Sequence, residues 1–214
     1  MAQARDRLIV YVDGFNLYYG AVKGTPYKWL DLQRYFTLLR PHDDIQLVRY
    51  FTALVNGASR VRQEAFLQAL TTTPKVEVVL GKFKQKWVKC GFLPSCAPAG
   101  SPSRQFQMPE EKRTDVNIAV YMLDDAYQGR CDHIVLVSGD SDLVPAIRMV
   151  RARFPSIKTT VYVPAQAPQR AHAVELRTAA HASRELPLNL LPKAQFPSGV
   201  PDGVGGTIKK PTSW

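Results

Sequence analysis

The chain has 214 residues, 45% of them hydrophobic and 21% charged, and a formal net charge of +10. That length can bury one real core, and no window approaches the roughly 20 apolar residues of a membrane span. The positive balance points to an anionic partner, nucleic acid first. The three cysteines are an odd set, which argues against a disulfide framework, and the first residues lack a signal-peptide layout. A cytoplasmic protein is expected, with no membrane partner.

In chain order, residues 7–12 predict a short, fully buried strand. Residues 28–40 space apolar groups as a helix does, up to Pro41. A strand over 45–54 follows, then a helix over 59–72 with Ser59 as cap, closed by Pro74, then a strand over 76–80. Residues 90–109, rich in Pro, Ser and Gly, predict a long loop. The clearest helix is 112–128, with Val116, Ala119, Val120, Leu123, Ala126 and Tyr127 on its apolar face and Gly129 at its end. Asp124 and Asp125 are expected to face solvent. A strand at 133–138, a helix at about 142–153, a strand at 158–163 and helical turns within 168–184 complete the domain, 1–186. From Pro187 periodicity is lost, and 187–214 predicts an extended Pro- and Gly-rich tail whose apolar side chains dock in surface grooves. Alternating strands and helices with β-branched strands imply a parallel sheet covered on both faces.

Three separated segments each bring a carboxylate to a strand end or a helix start. Leu8-Ile9-Val10-Tyr11-Val12 runs into Asp13, Ile134-Val135-Leu136-Val137 runs through Ser138-Gly139 into Asp140 and Asp142, and Asp115 opens the 112–128 helix. Sites in open α/β sheets lie beyond the carboxyl ends of the strands. An Asp at such a place is commonly a turn former or a helix cap, but four converging carboxylates repel unless a cation sits among them. Hard oxygen ligands suit Mg2+ or Mn2+. Such ions activate water and neutralise charge at a phosphodiester. Asn16 and Ser138 are placed to support the acids.

The stretch Val10-Tyr11-Val12-Asp13-Gly14-Phe15-Asn16-Leu17-Tyr18-Tyr19-Gly20 resembles the opening motif of NYN domains, the LabA/DUF88 group of the PIN-like nuclease superfamily. Glu111-Lys112-Arg113-Thr114-Asp115-Val116-Asn117-Ile118-Ala119 resembles the second motif, and Val137-Ser138-Gly139-Asp140-Ser141-Asp142-Leu143-Val144-Pro145 the third. The resemblance covers roughly residues 7–165. It implies a PIN-like three-layer α/β fold with a parallel sheet of order 3-2-1-4-5. It also implies a metal-dependent ribonuclease with Asp13, Asp115, Asp140 and Asp142 as catalytic and metal-binding acids, supported by Asn16 and Ser138. Tyr121 stands where many relatives carry another Asp, and Arg113 where Gly is frequent. A non-catalytic RNA-binding or regulatory module is the alternative that keeps the fold. Some relatives of this subgroup are named 6-hydroxy-3-succinoylpyridine hydroxylases, although no Gly-x-Gly-x-x-Gly follows a strand here.

Lys82-Phe83-Lys84-Gln85-Lys86-Trp87 alternates. If extended, Lys82, Lys84 and Lys86 share a face, either as a track for single-stranded RNA or as a guard on a strand edge. Lys112 and Arg113 are further candidates for RNA contact, and a homodimer is a possible partner state. Cys90 and Cys96 are too far apart, and too short of further ligands, for a zinc site. His133 is expected to be structural.

Overall fold

The computed structural model describes residues 5–89, 105–164, 173–212 and 214. Along the chain run β1 (Arg7–Asp13), α1 (Gly14–Leu17), a π-helical turn (Tyr18–Val22), α2 (Leu32–Leu39), β2 (Asp44–Thr52), α3 (Ser59–Thr71), β3 (Val76–Leu80), β4 (Lys82–Lys89), β5 (Gln105–Lys112), α4 (Thr114–Tyr127), β6 (His133–Val137), a 3-10 turn (Ser141–Leu143), α5 (Val144–Arg153), β7 (Lys158–Val163), α6 (Val174–Ala179), β8 (Ala182–Glu185), a 3-10 helix (Leu188–Ala194), β9 (Gly199–Pro201) and β10 (Thr207–Lys209).

β1 is buried from Leu8 to Asp13, as the centre of a doubly covered parallel sheet requires. Leu8, Val10 and Val12 enter a core with α2 and α3, while Ile9 and Tyr11 enter a second core with α4, α5 and α6. The period-two alternation of a strand thus serves two helical layers. β1 pairs in parallel with β2 and with β6, and the six-stranded sheet has the order β3-β2-β1-β6-β7-β8. Counting only its own strands, this is the expected 3-2-1-4-5 with a sixth strand added at the edge. Among the described residues no helix is long and apolar enough to cross a membrane.

Besides Ser59, which is the first residue of α3 while Ala58 holds the cap position, the structure departs from the sequence reading at four places. Residues 105–112, expected as loop and helix start, pair antiparallel with β4 as a separate two-stranded ribbon. Pro109 hides this strand, but a two-stranded ribbon has only edges, where Pro is tolerated. The loop residues Cys90 and Cys96 lie outside the described residues. Of the described residues within 168–184, Val174–Ala179 form a helix and Ala182–Glu185 extend the sheet beside β7.

The buried face of α4 is Ile118, Met122, Asp125 and Ala126, whereas Val116, Val120 and Tyr127 are exposed. α4 carries apolar residues on two faces, so periodicity alone could not choose between them. The choice follows Asp125, which is fully buried rather than solvent-facing. Its carboxylate accepts from Arg49 Nε and Nη2, both at 3.0 Å, from Tyr11 Oη at 2.5 Å and from Arg130 Nη1 at 2.8 Å.

The fourth departure is the tail, which is not extended. Leu188, Leu191 and Ala194 recur every third residue, the period of the 3-10 helix they form, with Leu191 and Ala194 buried. Asp31 N donates to Ala194 O at 2.8 Å, Trp29 Nε1 to Pro197 O at 2.8 Å and Tyr35 Oη to Pro187 O at 3.0 Å. β9 and β10 then pair as a hairpin. Leu191→Ala is expected to destabilise the protein by about 2–5 kcal/mol, the range for a buried leucine. Urea unfolding measures it, and an unchanged midpoint would mean that the tail contributes nothing to the fold.

Candidate metal centre at the carboxyl edge of the sheet

Parallel pairing of β1 with β6 ends the two strands side by side, Val12 opposite Val137, so the next residues, Asp13 and Ser138, meet at the edge. Ser138 Oγ donates to Asp13 Oδ2 at 3.0 Å. Asp13 caps α1: Oδ1 accepts from Asn16 N at 3.0 Å, and Asn16 Nδ2 donates to Oδ2 at 2.5 Å. Asn16 Oδ1 in turn accepts from Gly139 N, and Ser138 Oγ from Asp140 N, both at 3.0 Å. Asn16 and Ser138 therefore stitch the two strand ends together and aim Asp13. A β-carbon on Gly14 would lie 2.7 Å from both the Phe51 carbonyl oxygen and the Tyr50 ring, so only glycine lets α1 leave β1 this close to β2.

Asp140 caps the following 3-10 turn, accepting from Asp142 N at 2.9 Å, and Asp142 lies exposed at the rim. Capping and site membership therefore coincide. Asp115 stands in the first turn of α4. Burial, then the charges of Asp140, Asp13 and Asp142, push its carboxyl up to about 6. Burial likewise raises Asp13, against its three hydrogen bonds, and Asp140 adds to the rise.

Sequence reasoning missed a fifth acid. Glu111 ends the ribbon, accepts from Thr114 Oγ1 and is half-buried. Burial and the charges of Asp13 and Asp115 push it up to about 7. Its place in the second motif was a signal, but the strand that carries it to the site was not read. The turn joining ribbon to α4 holds Arg113 at φ 81°, a left-handed conformation that suits glycine. This explains the frequent glycine at that position. Gly81 allows the turn to pass: a β-carbon there would meet Thr114 Oγ1 at 2.7 Å and Lys112 O at 2.8 Å.

The lysines are placed apart from the acids. Residues opposite one another in a ladder share a face. Lys82, Lys84 and Lys86 therefore lie with Lys112, Glu110 and Met108, while Phe83 and Trp87 lie with Glu111 and Gln107. Phe83 packs edge-on to Phe15, ring centres 5.6 Å apart, so the aromatic face is the one turned to the acids. On the other face Lys112 and Lys86 reach Glu110 at 2.8 and 3.7 Å.

Among the described residues no three edge carboxylates approach within 4.8 Å of one another, whereas Asp6, Asp43 and His133 do, at the opposite end of the sheet. That trio has the spacing to hold a metal ion, but cations already serve it. Lys158 reaches Asp6 at 2.6 Å, Arg40 reaches Asp43 at 2.5 Å, and Arg40 Nη2 lies 3.2 Å from His133 Nδ1. Burial and Arg40 lower His133 to about 4, as a neutral structural ring. At the carboxyl edge the forces raising Asp13, Asp115 and Glu111 are burial and one another's charge, with no Lys or Arg among the causes. Such a donor set fits a divalent cation.

The NYN domain family pattern matches residues 7–186. The protein named 6-hydroxy-3-succinoylpyridine 3-monooxygenase HspA, from Pseudomonas putida (strain DSM 28022 / S16), is 32% identical to this chain, with 97% of this chain and 75% of that protein aligned. A crystal structure of a protein of unknown function from Vibrio parahaemolyticus RIMD 2210633 superposes with a TM-score of 0.55 at 18% identity, covering 87% of this chain and 96% of that one. At that identity the likeness is one of fold.

The raised acids make a prediction for the metal-free protein. Their folded values lie above the ordinary 3.8 of Asp and 4.5 of Glu. Stability is therefore highest with the protons on, and is lost as pH rises from about 4 to 6 through Asp115 and from about 4.5 to 7 through Glu111. The Asp115 rise corresponds to at most about 3 kcal/mol, and solvent screening of a half-buried group leaves about 1 kcal/mol. Asp115→Asn should raise stability by that amount at pH 8 in chelator, and the gain should shrink when Mn2+ is added. Chemical denaturation in both buffers decides it, and a loss of stability in chelator would mean that the acids do not repel.

Proposed function

The chain belongs to the NYN domain family, a nuclease-like family, and we propose that it is a metal-dependent ribonuclease working at the Asp13 edge. The observation that carries this reading is that Asp13 of β1 and Asp115 of α4 are raised by burial and by neighbouring carboxylates, Asp140 at the β6 end among them. Asp13, Asp115 and Asp140 would hold Mg2+ or Mn2+, with Asp142 as a further ligand at the rim. The ion would supply an activated water and charge neutralisation at the phosphate. Asn16 and Ser138 keep Asp13 aimed. Glu111, pushed up to about 7 in the metal-free site by burial and by Asp13 and Asp115, would be a further ligand or proton carrier at the same edge. Lys82, Lys84, Lys86, Lys112 and Arg113 would attract the RNA backbone electrostatically.

A second reading has one specific support, the 32% identity to HspA over nearly the whole chain. Monooxygenation at C3, the ring carbon that bears the succinoyl group, would put one oxygen of dioxygen on that carbon as the ring–succinoyl bond breaks; releasing the succinoyl group as an aldehyde and the second oxygen as water takes four electrons, two equivalents of a reduced nicotinamide donor. Oxygen uptake with that substrate and donor tests it directly.

Under the ribonuclease reading, single-stranded RNA is cut with Mn2+ and left intact with chelator. Asp13→Asn and Asp140→Asn lower the rate at least 100-fold while melting stays cooperative. Variants that cut at the wild-type rate would show the activity to be a contaminant. If RNA binds equally well with chelator but is never cut, the chain is a binding module. Changing Lys82, Lys84 and Lys86 together to Gln should flatten the slope of log affinity against log salt by up to about 2–3, read by fluorescence anisotropy. An unchanged slope would leave those lysines as guards of the ribbon edge.

A further inference from the structure

A cavity of about 380 Å³ opens beside the acids, within the size range of small-ligand sites. Its walls are unusually aromatic: Phe15, Tyr19, Tyr50, Phe66 and Trp214. Phe15 follows Asp13 by two residues and touches both Tyr19, stacked at 6.3 Å, and Phe83 of the ribbon. Tyr50 is shared by cavity and acids. Its hydroxyl is buried against Gly14, and after burial itself, Asp13 and Glu111 contribute most to raising it. Trp214 is brought from the far end of the chain by the docked tail and packs on Phe66 at 5.7 Å and Trp29 at 6.1 Å.

The rest of the lining mixes apolar Leu17, Val22, Leu30 and Val55 with polar groups of specific chemistry. Thr52 and Asn56 bring donors and acceptors to the wall, which a heterocycle can use and a hydrocarbon ring cannot. Lys28 and Arg62 bring positive charge into the same lining, Arg62 Nη2 donating to Ser59 Oγ at 2.9 Å. Flat aromatic walls accept any π-face, and a cation nearby selects an anionic substituent.

We propose that this cavity is a binding site for a planar heteroaromatic ring bearing an anionic arm, and that in the RNA substrate it takes the base adjoining the cleaved phosphate. The ring identity as an RNA base rests on the ribonuclease reading, but the site itself does not. A base lying among Tyr19, Phe66 and Trp214 would leave its sugar and phosphate toward Gly14 and Phe15, the two lining residues that follow Asp13 in the chain. The same chemistry is offered by a free pyridine-type carboxylic acid. The two sources differ in the arm attached to the ring, a sugar phosphate in one and a carboxylate in the other.

The test is calorimetry on the full chain in chelator, so that no cleavage is needed. The ligands are adenosine, AMP, CMP and a hydroxypyridine carboxylic acid. Asn56→Trp, at an exposed position of the lining, puts an indole into the cavity, and Lys28→Gln removes a charge. Circular dichroism and melting confirm that both fold. The expected result is that nucleotides bind the wild type and bind Asn56→Trp at least tenfold more weakly. Lys28→Gln should weaken AMP several-fold but leave adenosine unchanged. Asp13→Asn should bind adenosine as the wild type does, which separates failure of the ring site from failure of the ribonuclease reading. Binding of the pyridine acid alone, lost in Asn56→Trp, keeps the ring site and overturns its assignment to an RNA base. Nucleotide binding that Asn56→Trp leaves unchanged, or no binding of any of these ligands at millimolar concentration, overturns the proposal.

Discussion

Asp125 is a fully buried carboxylate beneath the sheet, and the guanidinium of Arg49 faces it with two parallel hydrogen bonds. Burial alone would raise this acid, but the bonds from Arg49, Tyr11 and Arg130 outweigh burial and hold it below the ordinary carboxylate range. Arg49 also pairs with Glu77 and lies 4.5 Å over the Tyr121 ring. The pair therefore joins β1, β2, β3 and α4 at one point. Removing one partner of such a pair leaves an uncompensated buried charge, typically at about 3–5 kcal/mol. Its consequence is positional. A helix advances about 1.5 Å per residue, so a clamp at Asp125 sets the rotation and height of α4 and hence where Asp115 stands, ten residues earlier. Tyr121, in place of an acid, serves as the flat surface on which that arginine rests.

With α4 held, like charges are forced together at the opposite end of the helix. Asp13 and Asp140 each satisfy backbone N–H groups as caps, so the fold holds them in place by bonds that have nothing to do with a metal. Asp115 and Glu111 are pressed toward them by α4 and the ribbon. The left-handed Arg113 sits between those two acids in the chain. Such a conformation costs roughly 1–3 kcal/mol in a residue with a side chain. It reverses the chain sharply enough for a strand end and a helix start to present both carboxylates to one edge.

The segment after Pro187 is part of the same construction. Its 3-10 helix lies on α2 and is bonded to Asp31, Trp29 and Tyr35, and its end places Trp214 against Trp29 and Phe66. The aromatic cavity thus depends on residues nearly 200 positions apart, and it opens within two residues of Asp13.

Strand alternation, helix spacing and the apolar run into Asp13 and into Ser138-Gly139-Asp140 were enough to place the central strands and to put the four aspartates at strand ends and helix starts, while the strand order came only with the resemblance to NYN domains. These are local patterns: period two, period 3.6, and a polar residue where a buried strand must stop. The second motif contained Glu111, but its role depended on the pairing of β4 with β5 across a loop, a long-range register that no local period reports. The same holds for α4, where two apolar faces compete and the buried one is the face whose acid finds Arg49, 76 residues away. The tail offers neither a two-residue nor a 3.6-residue period, and only contact with α2 decided that Leu191 and Ala194 would bury. What the chain determined by itself was therefore which residues end each element. Which of those ends meet was decided by tertiary packing, because a charge or a ring is stabilised only where a distant partner completes it.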